Sequence, residues 1–361
     1  MTSGPLVPPV TTDPATRRPG AQVGAERGGV PASAPGDAPA GGPPSGLPRS
    51  GAARRRGDQL FRTLSLSAGV FLLSIIVAIA VFLVVRAVPS LQANEGDFLT
   101  DTAWDPNATP PVFGIAALAF GTLLSSALAL VLALPVALGV ALFISHYAPR
   151  RMAGSLGFVV DLLAAVPSVV YGLWGISLLN AYVVDLSAFL AGNAGWFPLF
   201  GTTNGFFGRS VFLASIVLAV MILPIIASLS REVFLQVPTT NQEAALALGA
   251  TRWEMIRTAV LPFGRPGVIG ATMLGLGRAL GETIAVALVL SPAYVISFDI
   301  LEAGTGNTIA ANIALQFGEA NATGRSALIA SGLVLFAITL VVNLIARSVI
   351  YRRREFTGGA L

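Results

Sequence analysis

Two charged residues interrupt an apolar run in the C-terminal third of the chain, and their chemistry suits the handling of an anion. Arg278 and Glu282 lie in the stretch Gly275–Thr283, with apolar residues on both sides. Arg278 lies about 15–17 Å along a predicted helix that starts near Gly267, roughly half of a ~30 Å hydrocarbon core. An arginine at that depth is costly unless it faces protein or water, so Arg278 is a candidate functional residue.

The spacing of these residues leaves two interpretations open. In the first, Arg278 and Glu282 are i, i+4 neighbours on one helix face, neutralise each other and only fix helix packing. In the second, Arg278 faces a translocation pathway, where its planar guanidinium matches carboxylate or phosphate groups, and Glu282 orients it. Gly277 and Gly281 form a G-x-x-x-G pair that predicts close packing with another helix. The cost of a midplane arginine favours the second interpretation.

Four further polar residues are candidates for the same pathway. Asp161, in the third apolar segment, is either a partner of Arg278 or a residue near the inner membrane interface. The hydroxyl groups of Ser168, Tyr171 and Thr283 are candidate donors to an oxyanion. Polar residues of this kind also mediate helix packing, so both roles stay open for them.

The composition is that of a polytopic membrane protein. Of 361 residues, 54% are hydrophobic and 11% are charged, whereas soluble domains carry roughly 25% charged residues. There is no cysteine and one histidine, His146, which argues against zinc, haem or thiolate metal sites. All 22 basic residues are arginine, so the P-loop lysine is missing and the chain is not a conventional P-loop ATPase. These arginines flank membrane segments, where orientation and anionic lipid explain them, so no nucleic-acid partner is expected.

Six apolar segments are each long enough to cross a bilayer, which predicts an all-α membrane protein with six transmembrane helices. The segments run over about 64–89, 112–146, 155–180, 210–236, 267–291 and 325–350. If the N-terminus is cytoplasmic, fourteen arginines flank the inner ends, against three at the outer ends, Arg86, Arg209 and Arg325. This asymmetry predicts that both termini are cytoplasmic.

The rest of the chain consists of tails and loops. Residues 1–57 are rich in Pro, Gly, Ala and Arg without apolar periodicity, which predicts a disordered cytoplasmic tail. The transmembrane domain is predicted over 58–355, followed by a short tail at 356–361. A short helix is predicted around Ile309–Phe317, in the loop before the sixth segment.

The cytoplasmic loop over 237–266 predicts two short amphipathic stretches. Thr239 or Thr240 is a candidate N-cap of the first, and Glu243 near its start suits the helix dipole. The second stretch is predicted to end at Pro262. One interpretation is an interfacial helix between two spans, and the other is a docking element for a partner protein.

The motif in this loop is similar to the cytoplasmic signature of ATP-binding-cassette importer permeases. It reads Glu243-Ala244-Ala245, then Gly249 after three residues, and Leu261-Pro262 beginning twelve residues later. Small side chains let a partner approach closely, and Gly249 permits a sharp turn. The family often has isoleucine two residues before the leucine, and this chain has Ala259. The resemblance implies a coupling helix that docks on a separate ATPase.

The run Gly277-Arg-Ala-Leu-Gly-Glu-Thr283, at this distance from the loop, resembles the permeases of the phosphate-specific transport system. The stretches Leu163–Gly175, Phe98-Leu99 and Trp104-Asp105 resemble its C-type subunit more than its A-type sister. The resemblance covers about residues 58–355 and implies a type I importer permease fold. It also implies that Arg278 and Glu282 match positions implicated in phosphate translocation.

The resemblance further implies a set of partners. These are an A-type sister permease, two copies of an ATPase that binds ATP and magnesium, an extracytoplasmic phosphate-binding protein, inorganic phosphate and membrane lipid, with no cofactor in this chain. Three alternatives stay open from the residues. They are a permease for another oxyanion such as sulfate or molybdate, an ion-gradient-driven transporter or channel, and a membrane sensor.

Overall fold

A computed structural model describes the backbone of residues 51–354 and the side chains of residues 58–348. The chain divides into two units, one ending at Ser65 and the other beginning at Leu66. Within the described residues, the first unit is the start of one long helix, and the second contains every other element. The tail predicted over 1–57 lies outside the described residues up to position 50, and a helix begins at Gly51. The predicted tail at 356–361 also lies outside the described residues.

Helices dominate the described part of the chain. They are α1 (Gly51–Ala93), α2 (Ala116–Leu142), α3 (Arg150–Ala164), α4 (Ser168–Trp174), α5 (Asn180–Ala194), α6 (Val211–Leu235), α7 (Thr239–Ala247), α8 (Arg252–Met255), α9 (Leu261–Leu280), α10 (Ile284–Val289), α11 (Ile309–Gln316) and α12 (Ala322–Arg354). π-helical turns extend α2, join α4 to α5 and join α8 to α9, at Phe143–Tyr147, Gly175–Leu179 and Ile256–Val260 respectively. The short strands β1 (Trp104–Asp105) and β2 (Val112–Phe113) form an antiparallel pair that the sequence did not predict. The short helix predicted near Ile309 is confirmed as α11.

Within the described residues, six helical stretches are long and apolar enough to cross a membrane, which confirms the predicted number of spans. They are Asp58–Ala93, Ala116–Tyr147, Ser168–Ala194, Val211–Leu235, Arg252–Leu280 and Ala322–Ser348. Four of them overlap the predicted segments closely, and the third and fifth do not. The chain is therefore a multi-pass membrane protein, and the two revised spans contain Ser168, Tyr171 and Arg278.

The third span begins later than predicted because a proline divides the apolar run. Helix α3 ends at Ala164, and the chain turns before α4 starts at Ser168. Pro167 cannot donate a backbone hydrogen bond and restricts the residue before it, so a helix across this point is disfavoured. Asp161 consequently lies on α3, outside the third span.

The fifth span begins earlier than predicted and also ends earlier. It runs from Arg252 to Leu280, and Gly281–Thr283 separate it from the short helix α10. Pro262 does not end the helix as predicted, because a π turn directly precedes it and its N–H is not needed at the start of α9. The Leu261 N–H donates to the Ile256 carbonyl, five residues back, which widens the helix at that point.

Helix α6 lies at the centre of the described bundle, and 67% of its most apolar window is buried. It packs most extensively against α2 and α9. Four buried alanines of α2 recur every four residues, at positions 129, 133, 137 and 141. A stripe of small residues on one face lets the two backbones approach closely, which is the main source of helix association in a membrane.

Side-chain hydrogen bonds connect α11 to Trp104 and to Tyr294. The Trp104 indole N–H donates to Gln316 Oε1 at 2.6 Å, and the Gln316 amide donates to the Tyr294 hydroxyl at 2.6 Å. The Tyr294 hydroxyl in turn donates to Asn312 Oδ1 at 2.8 Å. Burial raises the pKa of Tyr294 above its ordinary value of 10.0. The chain of bonds ties the β1–β2 hairpin to α11.

Candidate functional site

Arg278 lies in the last turn of α9, near the end of the fifth span. Its half-buried side chain lines a cavity of ≈ 830 Å³, which α12 also borders through Asn343 and Arg347. Among the side chains described between residues 58 and 348, the ion pairs found involve Arg231 and none involves Arg278. Because no described acidic side chain pairs with it, the Arg278 guanidinium is available to bind a ligand.

Glu282 lies beyond the end of α9, in the non-helical link to α10. Because the helix stops at Leu280, the predicted i, i+4 helical relationship with Arg278 does not occur. Glu282 is 9% exposed, and its Oε1 accepts the Ala285 N–H at 3.1 Å. The carboxylate therefore satisfies one of the otherwise unpaired N–H groups at the start of α10. Glu282 thus fixes the link between the two helices.

Tyr171 lies on α4, near enough to Arg278 for the two side chains to interact electrostatically. The Arg278 charge interacts with the Tyr171 hydroxyl, which donates to the Leu163 carbonyl at 2.8 Å. Helix α4 reaches this region because Gly172 lets it pack on α10, where an added Cβ would lie 2.9 Å from Ala285 Cα. The Tyr171 hydroxyl therefore links α4 to α3 across the turn at Pro167, within electrostatic range of Arg278.

The other two predicted hydroxyls have separate positions. Thr283 lies in the link itself, and its Oγ1 donates to the Gly281 carbonyl at 3.1 Å. Ser168 is half-buried at the start of α4. Their role as oxyanion donors stays a prediction.

Asp161 pairs with Arg231 of α6, so its predicted partnership with Arg278 is wrong. Its Oδ2 lies 3.5 Å from an Arg231 terminal nitrogen, and its Oδ1 accepts a hydrogen bond from Ser228 at 2.5 Å. A Cβ added at Gly157 would collide with the Arg231 guanidinium, so that glycine makes room for it on α3. This contact could not be predicted from the sequence, because it depends on how α3 packs against α6.

Gly277 and Gly281 do not mediate helix packing within this chain, in contrast to the prediction. A Cβ at Gly277 would meet nothing within 4 Å, and one at Gly281 would meet only the Gly277 carbonyl oxygen at 3.7 Å. Close packing of α9 on α6 occurs instead at Gly264 and Gly275, where a Cβ would lie 2.9 Å from Phe234 and 2.7 Å from Ile226 respectively. The two predicted glycines leave open space beside Arg278.

The segment predicted to couple to an ATPase forms an exposed helix. Helix α7 has no buried residue, Glu243 and Ala244 are exposed, and Ala245 is half-buried. Leu248, just past its end, is 90% exposed. Gly249 has φ +84, a left-handed conformation that favours glycine, as the predicted sharp turn requires.

Both ends of this segment differ in detail from the prediction. Helix α7 starts at Thr239 after Pro238, and neither Thr239 nor Thr240 caps it through its side chain. The next helix starts with a capping box, in which Thr251 and Glu254 each bond the other's backbone N–H. The Thr-x-x-Glu spacing is a recognised sequence signal for this arrangement. Leu261 and Pro262 lie within the continuous helix that follows.

The continuous helix joins the exposed segment directly to the arginine. From Arg252 to Arg278 it spans 26 residues, about 39 Å at 1.5 Å per residue. The exposed helix α7 and the Gly249 turn lie at one end, and Arg278 with its cavity lies at the other. Helix α7 is therefore connected to Arg278 through the turn at Gly249 and one long helix.

The fold and this site define a membrane-spanning component of a transport system. The family model described as binding-protein-dependent transport system inner membrane component matches residues 133–355, and the chain belongs to this family.

Named relatives are similar over most of the chain. The phosphate transport system permease protein PstC 2 of Mycobacterium tuberculosis is 49% identical over 300 residues, covering 82% of this chain and 92% of the relative. The phosphate transport system permease protein PstC of Xylella fastidiosa (strain Temecula1) is 41% identical over 306 residues, covering 84% and 93%. Among solved structures, a bacterial alginate ABC transporter in complex with a periplasmic protein superposes with a TM-score of 0.53 at 16% identity, covering 87% of this chain and 100% of that chain. The fold is thus that of an ABC importer permease.

Proposed function

We propose that this chain forms part of the membrane pathway of an ATP-driven importer of inorganic phosphate. The observation that carries the proposal is Arg278, which lines a cavity and forms no ion pair among the described side chains. An unpaired guanidinium in a membrane protein favours an oxyanion ligand, whose paired oxygens match its planar fork. Two relatives named as phosphate transport permeases, at 41% and 49% identity, support phosphate as that oxyanion.

The proposed complex contains the partners that the resemblance implies. A sister permease of the A type completes the pathway, and a phosphate-binding protein delivers the substrate from outside. Two copies of an ATPase hold ATP and magnesium, and this chain carries no cofactor of its own. Helix α7, with Glu243, Ala244 and Ala245, docks on one ATPase, since its surface is exposed and its small residues allow close approach. In the proposed complex both termini are cytoplasmic, and the excess of arginines at the predicted inner flanks supports this orientation.

Transport proceeds by alternating access of the pathway to the two sides of the membrane. ATP binding closes the ATPase pair, and α7 transmits that movement through the helix that ends at Leu280. The link at Gly281–Thr283 allows α9 and α10 to change their relative angle, while Glu282 holds the start of α10. Arg278 compensates for the lost hydration of phosphate only transiently, because tight binding would prevent release.

Phosphate uptake in cells that lack their own high-affinity system tests this function. The chain is expressed with its sister permease, ATPase and binding protein, and uptake of radiolabelled phosphate is measured with and without excess sulfate or molybdate. Uptake that depends on the chain and resists both competitors is expected. Competition by sulfate equal to that by unlabelled phosphate would favour the wider oxyanion importer, and uptake that persists without the ATPase would favour an ion-gradient-driven carrier.

A further inference from the structure

We propose that Arg347 of α12 binds the same type of anion as Arg278, so that the two arginines form one phosphate-binding site in the cavity between α9 and α12. This inference rests on the proposed function and adds a second anion-binding residue to it. The ligand is an oxyanion of the phosphate type, which is supplied either by the transported phosphate or by the headgroup of an anionic lipid.

Arg278 and Arg347 border the same cavity. It measures ≈ 830 Å³ and is bordered by Arg278 on α9 and by Asn343 and Arg347 on α12. Asn343 and Arg347 are four residues apart and therefore share one face of the helix. One Asn343 amide hydrogen is donated to the Thr339 carbonyl at 2.9 Å, which leaves the second for a ligand.

The charges in the cavity are unbalanced within the described chain. Its border contains two arginines and no acidic residue. Among the side chains described between residues 58 and 348, neither Arg278 nor Arg347 forms an ion pair. Two like charges that border one cavity repel each other, and an anion bound between them offsets that repulsion. A phosphate group presents enough acceptor oxygens to bond both guanidinium forks.

The cavity also has room for such a group beside the arginines. Gly270 and Gly277 border it, and a Cβ added at either would meet nothing within 4 Å. The absence of side chains there keeps the space next to Arg278 open. A cavity of this size holds a phosphate together with several waters.

The positions of the two arginines indicate the direction in which the bound anion moves. The arginine asymmetry predicts that the end of α12 containing Arg347 lies at the cytoplasmic flank. Arg278 lies within the fifth span, so the cavity leads from the span towards that flank. Arg347 would thus receive the anion from Arg278 on its way to the cytoplasm.

The test uses the purified complex of permeases, ATPase and binding protein in lipid vesicles. Arg347→Gln, Arg347→Lys and the control Arg325→Gln are compared for phosphate uptake at saturating substrate. Arg325 lies near the other end of α12 over the Phe317 ring, outside the cavity. We expect about a tenfold lower maximal uptake for Arg347→Gln, partial recovery in Arg347→Lys, which keeps the charge, and uptake within about twofold of wild type for Arg325→Gln.

The vesicle composition distinguishes the two sources of phosphate. If the ligand is transported phosphate, Arg347→Gln is impaired equally in phosphatidylcholine vesicles and in vesicles that also contain phosphatidylglycerol. If the ligand is a lipid headgroup, the difference between wild type and Arg347→Gln occurs only with phosphatidylglycerol. Wild-type uptake in both compositions by Arg347→Gln overturns the inference and leaves the proposed function standing. A wild-type complex that takes up no phosphate counts against the proposed function instead.

Discussion

Gly121 of α2 is expected to tolerate no side chain, because it lies against backbone rather than against a flexible group. A Cβ at this position would collide with the Asn307 carbonyl oxygen and would also lie 3.3 Å from the Asn307 backbone nitrogen. The adjacent Thr122 Oγ1 accepts the Ile309 N–H at 2.9 Å. Helix α2 and the segment that leads into α11 are therefore fixed to each other at both residues.

The expected cost of Gly121→Ala follows from these contacts. Forcing extra atoms into a packed site costs about 1–3 kcal/mol, and a shift of the segment weakens the Thr122 hydrogen bond by about 0.5–1.5 kcal/mol. Alanine gains back about 0.5–1 kcal/mol over glycine in a helix. The net destabilisation is thus about 0.5–4 kcal/mol, with a central value of about 2 kcal/mol. Gly139 is on the same helix, and a Cβ there would meet nothing within 4 Å, so Gly139→Ala is the matched control.

Thermal unfolding of the two purified variants in detergent measures the difference. Gly121→Ala is expected to unfold at a clearly lower temperature than wild type, whereas Gly139→Ala is expected to match or exceed it. Both variants add the same single carbon to α2 at different positions, so their general effects on insertion are comparable. Equal unfolding temperatures would refute the close approach of α2 to Asn307.

Three other predictions follow from buried or strained groups. Glu302 is 2% exposed, and its Oε1 accepts hydrogen bonds from the N–H groups of Thr203, Asn204 and Gly205, each at 2.7 Å. Glu302→Gln is expected to weaken these charge-assisted bonds by about 1–3 kcal/mol in total. Limited proteolysis should then cut the loop at 201–208 faster than in wild type. Because burial raises the pKa of Tyr294, the stability that its neutral hydroxyl contributes is fully present below about pH 10 and lost as the pH rises through the folded-state pKa. Unfolding temperatures measured from pH 8 to 11 should fall more steeply for wild type than for Tyr294→Phe, and parallel curves would contradict this. Gly249→Asp strains a turn at φ +84 and adds a charge next to α7, and Glu243→Lys reverses a charge on α7. Both variants are expected to lower phosphate uptake while the complex still assembles. Gly139→Ala is the control.

The number of spans could be predicted from the sequence because each needs only length and apolarity. The exact limits of the third and fifth spans could not, because an apolar run does not reveal where the helix inside it stops. Pro167 carried a local signal that a helix ends there, and apolarity on both sides concealed it. Pro262 carried the same signal, but the helix continues past it because a π turn precedes it. No sequence pattern predicts that π turn.

The site residues were predictable by type more readily than by partner. An arginine within an apolar run is conspicuous, so Arg278 was found without structural information. The partner of Asp161 could not be found, because it depends on how α3 packs against α6. Arg347 was counted only as a flanking charge, since the pairing of α12 with α9 that brings it to the cavity is a tertiary contact. Glu302 was missed because its partners are backbone N–H groups about 100 residues earlier.

The most direct test of the account is phosphate uptake by Arg278→Gln. The variant and wild type are expressed with their partners at equal membrane abundance, and both uptake and ATP hydrolysis are measured. Uptake is expected to fall at least about tenfold in Arg278→Gln, because the substitution removes the positive charge that compensates for the lost hydration of phosphate. Uptake by Arg278→Gln equal to that of wild type would contradict the central claim that this arginine lies on the phosphate pathway.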